Sequence, residues 1–483
     1  MSPCISLGYM KKVLLFIPWV VLLTGCGKDS SIIGSLDQAA LKDAEVIAFP
    51  GAEGAGKFTK GGRGGDVYHV TTLKDSGPGS FREGIESIEG PRTIVFDLSG
   101  TIRLKNDIKI KDVSYLTIAG QTAPDKGITF ADRNIRFENC SHIIARYFRI
   151  RLGDENKPDG TSPDCITIEY SNHVMLDHLS LSWGIDGNGD FRGLKNSTLQ
   201  WLIFSEALHD SIHGKGPHAM CTSFRDNAGF ATLHHNVYAT SRNRHPSTAG
   251  GSQVMEFANN LNYNWSGCHN LSGEQYNLLN NYYKAGPMKG ERLPIRYKSK
   301  ALKPVSRGYF FGNHFEGLPE EYNQDNYAAM DFESSGTDGK YKGTTRGFFE
   351  ASDRFDAGKY KLTQIETAQD AYESCLKQSG CSLVRDAVDE RLIESIRNNT
   401  GKVIDSQDEV GGWDRSPSIV RPPDFDTDRD GMPDEWERTS GLDPNDPSDG
   451  NQDRNDDGFT NLEDYLNGLT HVPQLNSLDK NKP

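Results

Sequence analysis

Three aspartates in the middle of the chain supply carboxylate oxygens of the kind that calcium ions bind. Asp164 lies in Pro-Asp-Cys-Ile, and Asp186 and Asp190 stand four residues apart in the glycine-rich run Ile-Asp-Gly-Asn-Gly-Asp. Calcium takes several hard oxygen ligands in flexible geometry, and carboxylates on such turns from neighbouring segments can converge on one ion. The last two aspartates also suit an acid–base pair for hydrolysis, so both chemistries stay open at this point.

A second set of acidic residues, near the C-terminus, follows the pattern of EF-hand loops. The first loop has Asp426, Asp428 and Asp430, glycine at the sixth place and Glu437 at the twelfth, which is the ligand order of such a loop. A second loop contains Asp453, Asn455, Asp457 and Asp464. Its terminal Asp is shorter than the usual Glu. We predict a structural calcium-binding module with no catalytic role.

The net charge of −14 is concentrated in this module. Residues 421–470 carry fifteen Asp or Glu against four Arg, a local charge of −11, which leaves −3 for the rest. The remainder of the chain is therefore close to neutral and would not strongly repel an acidic polymer. The 35% apolar and 25% charged residues suit a globular protein and exclude a multi-pass membrane protein.

Short β-like runs must position the central aspartates. They recur every two to three dozen residues, without helical periodicity between them, at 93–96, 116–118, 142–144, 174–176, 198–201, 232–234, 254–257, 277–279 and 309–311. Strands at that spacing predict the coils of a parallel β-helix, each burying its face against the next. The all-β alternatives, a propeller or a sandwich, need regular hairpin turns, which are rare here.

Asparagines follow four successive runs at the same phase. They are Asn236, the pair 259–260, the pair 280–281 and Asn313. Stacked asparagines at a turn between coils can hydrogen-bond one another and satisfy backbone groups. We predict such a ladder here. Two helical stretches, 367–376 and 387–398, are expected to flank the solenoid.

The N-terminal segment reads as an export signal. Lys11 and Lys12 precede an apolar run that ends in Leu-Thr-Gly-Cys at Cys26, and the run is too short to span a bilayer. That ending resembles a bacterial lipobox, in which Cys26 becomes the lipidated first residue. We predict an outer-membrane lipoprotein at the cell surface or the periplasmic face, touching the membrane only through its lipid anchor.

Residues 163–246 resemble the polysaccharide lyase family 1 pectate lyases. The strand that ends in Asp177-His178 matches a family strand and fixes the register. In that register Asp164, Asp186 and Asp190 occupy the positions of family calcium ligands. The resemblance implies a right-handed parallel β-helix and a catalytic Ca²⁺. The family often has a further acid at the place of Ser162, so Asp154 or Asp159 is a candidate substitute.

The same resemblance assigns the basic residues. Arg244 lies eight positions beyond Asn236 and two before Pro246, where the family has its catalytic arginine. Lys215 falls where the family has a lysine that grips a substrate carboxylate, and Arg242 is a second substrate-binding candidate. A further family arginine is absent, because positions 249–251 are Ala-Gly-Gly. An arginine is an unusual base, since its ordinary pKa exceeds 12, and an alkaline optimum is therefore expected.

The implied function is calcium-dependent β-elimination of polygalacturonate (homogalacturonan) to 4,5-unsaturated oligogalacturonides. We expect a monomer with a polysaccharide partner and no nucleic acid. A polygalacturonase-type hydrolase and a non-catalytic pectin-binding surface lipoprotein are the alternatives. A pectin lyase, which acts on methylated substrate, is disfavoured by the three aspartates of the calcium site, because a methyl ester needs no calcium to neutralise it.

The predicted division of the chain follows these features. It consists of a signal peptide (1–26), a tether (27–47), the β-helix with its helical flank (48–405), a linker (406–423), the calcium-loop module (424–470) and a tail (471–483). Cys140, Cys165, Cys221 and Cys268 are expected in the core. Cys375 and Cys381 are close enough in sequence for a possible disulfide, which export permits.

Overall fold

The computed structural model describes residues 45–155, 163–251, 253–290, 292–297, 306–331 and 346–470. The described residues from Val46 onward form one compact unit. The leader with Cys26, nearly all of the tether and the tail lie outside the described residues, as do Asp159 and Ser162. No helix in the described part of the chain combines the length and apolarity needed to cross a bilayer.

Strands dominate the described residues. In chain order they are β1 (Asp66–Val70), β2 (Arg92–Phe96), β3 (Gly100–Arg103), β4 (Ile108–Lys111), β5 (Ser114–Ala119), β6 (Ile128–Ala131), β7 (Ile135–Glu138), β8 (Ser141–Arg146), β9 (Arg149–Arg151), β10 (Ile166–Glu169), β11 (Asn172–Asp177), β12 (Ser180–Ser182), β13 (Gly189–Arg192), β14 (Lys195–Gln200), β15 (Ile203–Ser205), β16 (Thr222–Arg225), β17 (Ala228–His234), β18 (Val237–Ala239), β19 (Ser247–Ala249), β20 (Val254–Ala258), β21 (Leu261–Tyr263), β22 (His269–Leu271), β23 (Gln275–Leu279), β24 (Tyr282–Lys284), β25 (Ile295–Tyr297), β26 (Arg307–Phe311), β27 (His314–Glu316) and β28 (Met330–Asp331).

These strands form three parallel sheets, to which most coils contribute one strand each. The first sheet has the order β1-β2-β5-β8-β11-β14-β17-β20-β23-β26, the second β3-β6-β9-β12-β15-β18-β21-β24-β27, and the third β4-β7-β10-β13-β16-β19-β22-β25-β28. The chain is therefore a right-handed parallel β-helix, as predicted. All nine predicted strands belong to the first sheet.

Stacking of like residues from coil to coil builds the core. One apolar row of the first sheet runs through paired positions Ile94, Ile118, Ala145, Leu176, Leu199, Leu233, Phe257, Leu278 and Phe310. All of these side chains are buried. Because each coil leaves its apolar row open to the next, the coils stabilise one another rather than folding singly.

The predicted asparagine ladder is confirmed. The Oδ1 atoms of Asn260, Asn281 and Asn313 each accept the backbone N–H and the Nδ2 of the ladder asparagine one coil earlier, at 2.8–3.1 Å. The ladder continues one step further, to Asn326. Buried amides at a turn are therefore satisfied by the next coil.

Seven helices accompany the solenoid. They are α1 (Phe81–Glu86), α2 (Glu321–Gln324), α3 (Arg346–Phe349), α4 (Ala368–Gln378), α5 (Ala387–Arg397), α6 (Asp434–Ser440) and α7 (Asn461–Leu469) among the described residues. Short 3₁₀ turns occur at Gly54–Gly56, Gly120–Thr122, Asn326–Ala329, Gly358–Tyr360, Gln407–Val410 and Asp449–Asn451. The two predicted flanking helices correspond to α4 and α5.

Helices α4 and α5 lie on the second sheet. Each begins at a side chain that caps its free N–H groups, Thr367 for α4 and Asp386 for α5. Their apolar residues pack on strand residues such as Leu261. Arg151, buried on β9, forms ion pairs of 2.8–2.9 Å with Asp386 and Asp389, which joins α5 to the solenoid.

The possible disulfide between Cys375 and Cys381 is wrong. Both thiols are free and buried. The Sγ of Cys375 faces the backbone oxygen of Asn259, whereas the backbone N–H of Cys381 donates to Ser180 Oγ. The two cysteines therefore dock over different coils. The other four cysteines of the solenoid are also free and buried, as predicted.

The segment predicted as a linker, 406–423, lies along the solenoid. Trp413 is buried and its Nε1 donates to the backbone oxygen of Arg151 at 2.9 Å. Ser418 donates to the backbone oxygen of Ser99. Beyond it, the acidic module packs Met432, Leu462, Tyr465 and Leu466 on Val95 and Ala119 of the first sheet. The module thus covers the outside of the first coils.

Candidate functional site

The three central aspartates lie on two adjacent coils. Asp164 lies just before β10, and Asp190 lies on β13, its neighbour in the third sheet. Asp186 lies in the loop that enters β13, and its N–H donates to the backbone oxygen of Pro163 at 3.2 Å. The loop next to Asp164 is tight, because a Cβ at Gly187 would stand 2.7 Å from Asp164 Oδ1.

Asn188 holds that loop in place. Its side chain is fully buried, donates through Nδ2 to the backbone oxygen of Ser205 at 3.0 Å, and accepts the N–H of Gly184 at 3.2 Å. A Cβ at Gly184 would come within 1.7 Å of the Gly187 oxygen. The glycine-rich composition is therefore what lets Asp186 and Asp190 approach Asp164.

The electrostatics of the cluster call for a cation. Burial, together with the charges of Asp186 and Asp190, raises the pKa of Asp164 well above its ordinary value, and Arg244 and Arg225 oppose the rise. Asp190 Oδ1 is buried and has no hydrogen-bond partner. Such an oxygen is costly to bury without a donor or an ion.

Arg225 is a member of the site that sequence reasoning missed. It lies at the end of β16, and its Nη2 donates to Asp190 Oδ2. This contact fixes one oxygen of Asp190 and leaves the other for a ligand. The pairing of β13 with β16 brings the two residues together, and no motif in the sequence marks it.

Two histidines, also missed from the sequence, lie beside Asp186. His213 Nε2 and His218 Nε2 lie 3.9 and 3.7 Å from Asp186 Oδ1, and their rings stack with centroids 3.4 Å apart. Burial, followed by the nearby His218, lowers the pKa of His213. The exposed Lys215 lies in the turn between them, where its N–H donates to His213 Nδ1 at 3.0 Å.

Arg244 lies between β18 and β19 in a left-handed conformation, with φ of 68°. Its N–H bonds to Asn243 Oδ1, and its backbone oxygen accepts from Thr222, both at 2.8 Å. A non-glycine residue held at positive φ is a strained feature that surrounding structure must impose. The side chain is half-buried and is close enough to Asp164 for its charge to lower the pKa of that carboxyl group.

The remaining candidates near the centre behave differently. Arg242 is exposed and lies 2.7 Å from His209 through Nη1 and Nε2. Asp154 bonds to two serines, Ser211 and Ser406, so its carboxylate is already engaged away from the cluster. Asp177, which served only to fix the family register, is buried against Arg146, Gln200 and its neighbour His178, and these contacts indicate a structural role.

The first C-terminal loop forms a compact acidic cage. Ligand atoms of Asp426, Asp428 and Asp430 lie within 4.8 Å of one another, and so do those of Asp430, Glu437 and Asp449. Asp449 was not predicted, since it lies outside the loop motif. Burial, followed by the neighbouring acids, raises the pKa of Glu437 to about 8.

The second loop is more open. Asp453, Asn455 and Asp457 are exposed. Asn455 Nδ2 donates to Asp457 and Asp464, both at 3.1 Å. Ion binding at these four residues stays a prediction.

Comparison with known proteins identifies the family. No family model matches the chain. Proteins named probable pectate lyase C from Aspergillus fumigatus and Emericella nidulans are 32% and 33% identical to it over 438 and 440 residues, covering 88% and 89% of this chain and 94% of each relative. A solved structure titled thermostable pectate lyase PL 47 is 15% identical, with a TM-score of 0.47, covering 68% of this chain and 97% of that one. The identity to the fungal proteins extends over nearly the whole of both chains, and the protein therefore belongs to the pectate lyase family.

Proposed function

We propose that the protein cleaves polygalacturonate by calcium-dependent β-elimination and releases 4,5-unsaturated oligogalacturonides. The observation that carries the proposal is that Asp164, Asp186 and Asp190 lie on two adjacent coils, where the charges of the other two aspartates raise the pKa of Asp164 and the charge of Arg244 opposes the rise. The family membership supports the same reaction.

The residues present fit a calcium ion. Three carboxylates supply hard oxygens. The Oδ1 of Asp190 is buried without a hydrogen-bond donor, and a bound ion would compensate its charge. Asp164, Asp186 and Asp190 would hold the ion, with Arg225 fixing the orientation of Asp190. When bound, calcium would neutralise the uronate carboxylate and withdraw charge from the adjacent C5.

The basic residues perform the remaining steps in this proposal. Lys215 and Arg242 bind substrate carboxylates and place the reacting uronate against Arg244. Arg244 takes the proton from C5, the electron pair of that bond forms the C4–C5 double bond, and the C4–oxygen bond breaks. The leaving oxygen keeps its electron pair and acquires a proton. Water is not consumed.

The pH dependence follows from the base. A guanidinium gives up its proton more readily as pH rises, so turnover is expected to increase toward alkaline pH. A pH profile of turnover that peaks at about pH 5 would contradict Arg244 as the base and would favour hydrolysis by a pair of carboxylates.

Turnover with and without a chelator tests the function. The full chain is incubated with polygalacturonate after treatment with EDTA, and again after Ca²⁺ is restored. Products are followed by ultraviolet absorbance, by reducing ends and by size. The proposal expects absorbance of the conjugated double bond only when Ca²⁺ is present. Reducing ends without absorbance would indicate hydrolysis, and binding without products would indicate a carrier.

We also propose that the chain is exported and anchored through a lipid on Cys26. The lipobox-like end of the leader supports this. Labelling of growing cells with a radioactive fatty acid is expected to mark the wild-type protein and to leave a Cys26→Ala variant unmarked. Equal labelling of both would refute the anchor.

A further inference from the structure

The acidic cage of the C-terminal module carries buried charge that the proposed reaction does not use. Glu437 is completely buried, and neither of its carboxylate oxygens has a hydrogen-bond partner. Asp428 Oδ2, Asp430 Oδ2 and Asp449 Oδ1 are likewise buried and unpartnered. Five such oxygens at one place need a compensating cation.

The second oxygens of these aspartates are used to shape the cage. Asp428 Oδ1 accepts the N–H of Asp430, Asp430 Oδ1 accepts that of Met432, and Asp449 Oδ2 accepts that of Asp443. In each of these aspartates, one carboxylate oxygen therefore accepts a backbone N–H and the other is buried inside the cage without a partner. The arrangement is that of a built ligand shell rather than a solvated acidic surface.

Asp449 closes the cage from a later turn of the chain. It begins the 3₁₀ turn Asp449–Asn451, whose backbone is pressed against the loop. A Cβ at Gly450 would stand 2.5 Å from Asp430 Oδ2. Asn461 at the start of α7 donates to the backbone oxygen of Asp449 at 2.8 Å, so an ion here would join the loop, this turn and α7.

The cage is also tied to the solenoid. His69 on β1 lies 3.4 Å from Asp426 Oδ2 and 3.2 Å from the backbone oxygen of Arg429 through Nε2. Through Nδ1 it contacts Asp97, just after β2, at 2.9 Å. A Cβ at Gly431 would lie 3.2 Å from Val67 on β1. The loop therefore rests directly on the first two strands.

We propose that Asp426, Asp428, Asp430, Glu437 and Asp449 bind one Ca²⁺, and that this ion fastens the C-terminal module to β1 and β2. The site is separate from the Asp164 cluster. Loss of the ion leaves five inward oxygens to repel one another, which loosens the loop that His69 contacts. The ion thus stabilises the first coils without taking part in the reaction.

Calcium titration of the chelated full chain tests the ligand set. By calorimetry, Asp449→Asn and Glu437→Gln are each expected to bind one Ca²⁺ fewer than the wild type. The matched control is Glu435→Gln on the same helix α6, whose side chain is 85% exposed, and it is expected to bind as the wild type does. An Asp449→Asn protein with unchanged stoichiometry and affinity would overturn the proposal.

Hydrogen exchange tests the fastening and does not depend on whether the cage variants fold. In an Asp186→Asn background, which disables the central cluster, added Ca²⁺ is expected to slow exchange of the β1 and β2 amides. His69→Gln is expected to weaken the binding of this ion about 10- to 100-fold, as for an outer-shell partner. His314→Gln on β27 serves as the control. Unchanged exchange and unchanged affinity would refute the link to the solenoid.

Discussion

Arg225 on β16 holds Oδ2 of Asp190 on β13, while Oδ1 of the same carboxylate is buried without a partner. The two residues come from successive coils of the third sheet. An arginine therefore orients a proposed metal ligand from outside the ligand set, in the manner of outer-shell partners at other metal sites.

Replacement of Arg225 should weaken calcium binding. In Arg225→Gln, Asp190 loses the contact that fixes its orientation, and we expect the Ca²⁺ concentration for half-maximal cleavage to rise about tenfold. Arg192→Gln is the matched control, because Arg192 is a similarly exposed arginine of the same sheet, paired with Asp226. Equal calcium dependence of the two variants would show that Arg225 does not orient the ligand.

Arg244→Lys should remove most of the turnover while leaving the protein folded and able to bind calcium. A lysine keeps the charge but places its nitrogen differently, and loss of a positioned base costs about 100-fold or more in kcat. Arg242→Lys is expected to change KM more than kcat. Steady-state kinetics under saturating Ca²⁺ measure both. A fully active Arg244→Lys enzyme would exclude Arg244 as the base.

Glu274 makes stability depend on pH. Burial raises its pKa from an ordinary 4.5 to about 9, so the folded state keeps the proton in a range where the unfolded chain loses it. Its contribution to stability is full below 4.5 and is lost as pH rises toward about 9. Glu274→Gln lacks this titration. As the pH rises from about 5 to about 8, the wild type should therefore lose about 2–4 kcal/mol more in free energy of unfolding than Glu274→Gln does.

Urea unfolding at the two pH values measures that difference. Glu89→Gln is the control, because Glu89 is exposed and its substitution should leave the pH dependence of stability as in the wild type. A Glu274→Gln protein that loses stability with pH as steeply as the wild type would show that Glu274 is ionised in the folded state.

The asparagine ladder should contribute measurably to stability. In Asn260→Ala, the Asn236 backbone N–H and Nδ2 lose the oxygen to which they donate. The backbone oxygens of Leu233 and Ala258 lose the Nδ2 group that donates to them. Unsatisfied buried groups cost about 1–3 kcal/mol each, so we expect a loss of about 3 kcal/mol or more in free energy of unfolding. Asn106→Ala, at an exposed position, should change it little. Similar losses for both would mean that the ladder adds no stability.

The repeat in the sequence predicted the strands of the first sheet but not those of the second and third sheets. The strands of the first sheet, such as β11 (Asn172–Asp177), are five to seven residues long and contain apolar runs such as 174–176 that can be recognised in the sequence. The strands of the second and third sheets are mostly three or four residues long, and polar members such as β12 (Ser180–Ser182) carry little hydrophobic pattern. They form because neighbouring coils pair with them, which is information outside any local window.

The site divides in a similar way. Asp164, Asp186, Asp190 and Arg244 were predicted through spacing and family resemblance. Arg225, His213 and His218 have no such mark in the sequence, because strand pairing and loop packing bring them to the cluster. The Cys375–Cys381 disulfide failed for the same reason: closeness along the chain does not determine which coil each thiol contacts.

The sequence by itself determined that the chain forms stacked coils, that an asparagine ladder joins them, and that a glycine-rich run carries two of the three central aspartates. Periodicity and residue type suffice for these features, because they repeat locally. Only the tertiary structure decided that Arg225 grips Asp190, that Asp449 closes the acidic cage, and that His69 connects this cage to the first coils. No local sequence pattern marks these contacts: strand pairing in the solenoid sets the first, folding of the C-terminal module sets the second, and packing of the module on β1 sets the third.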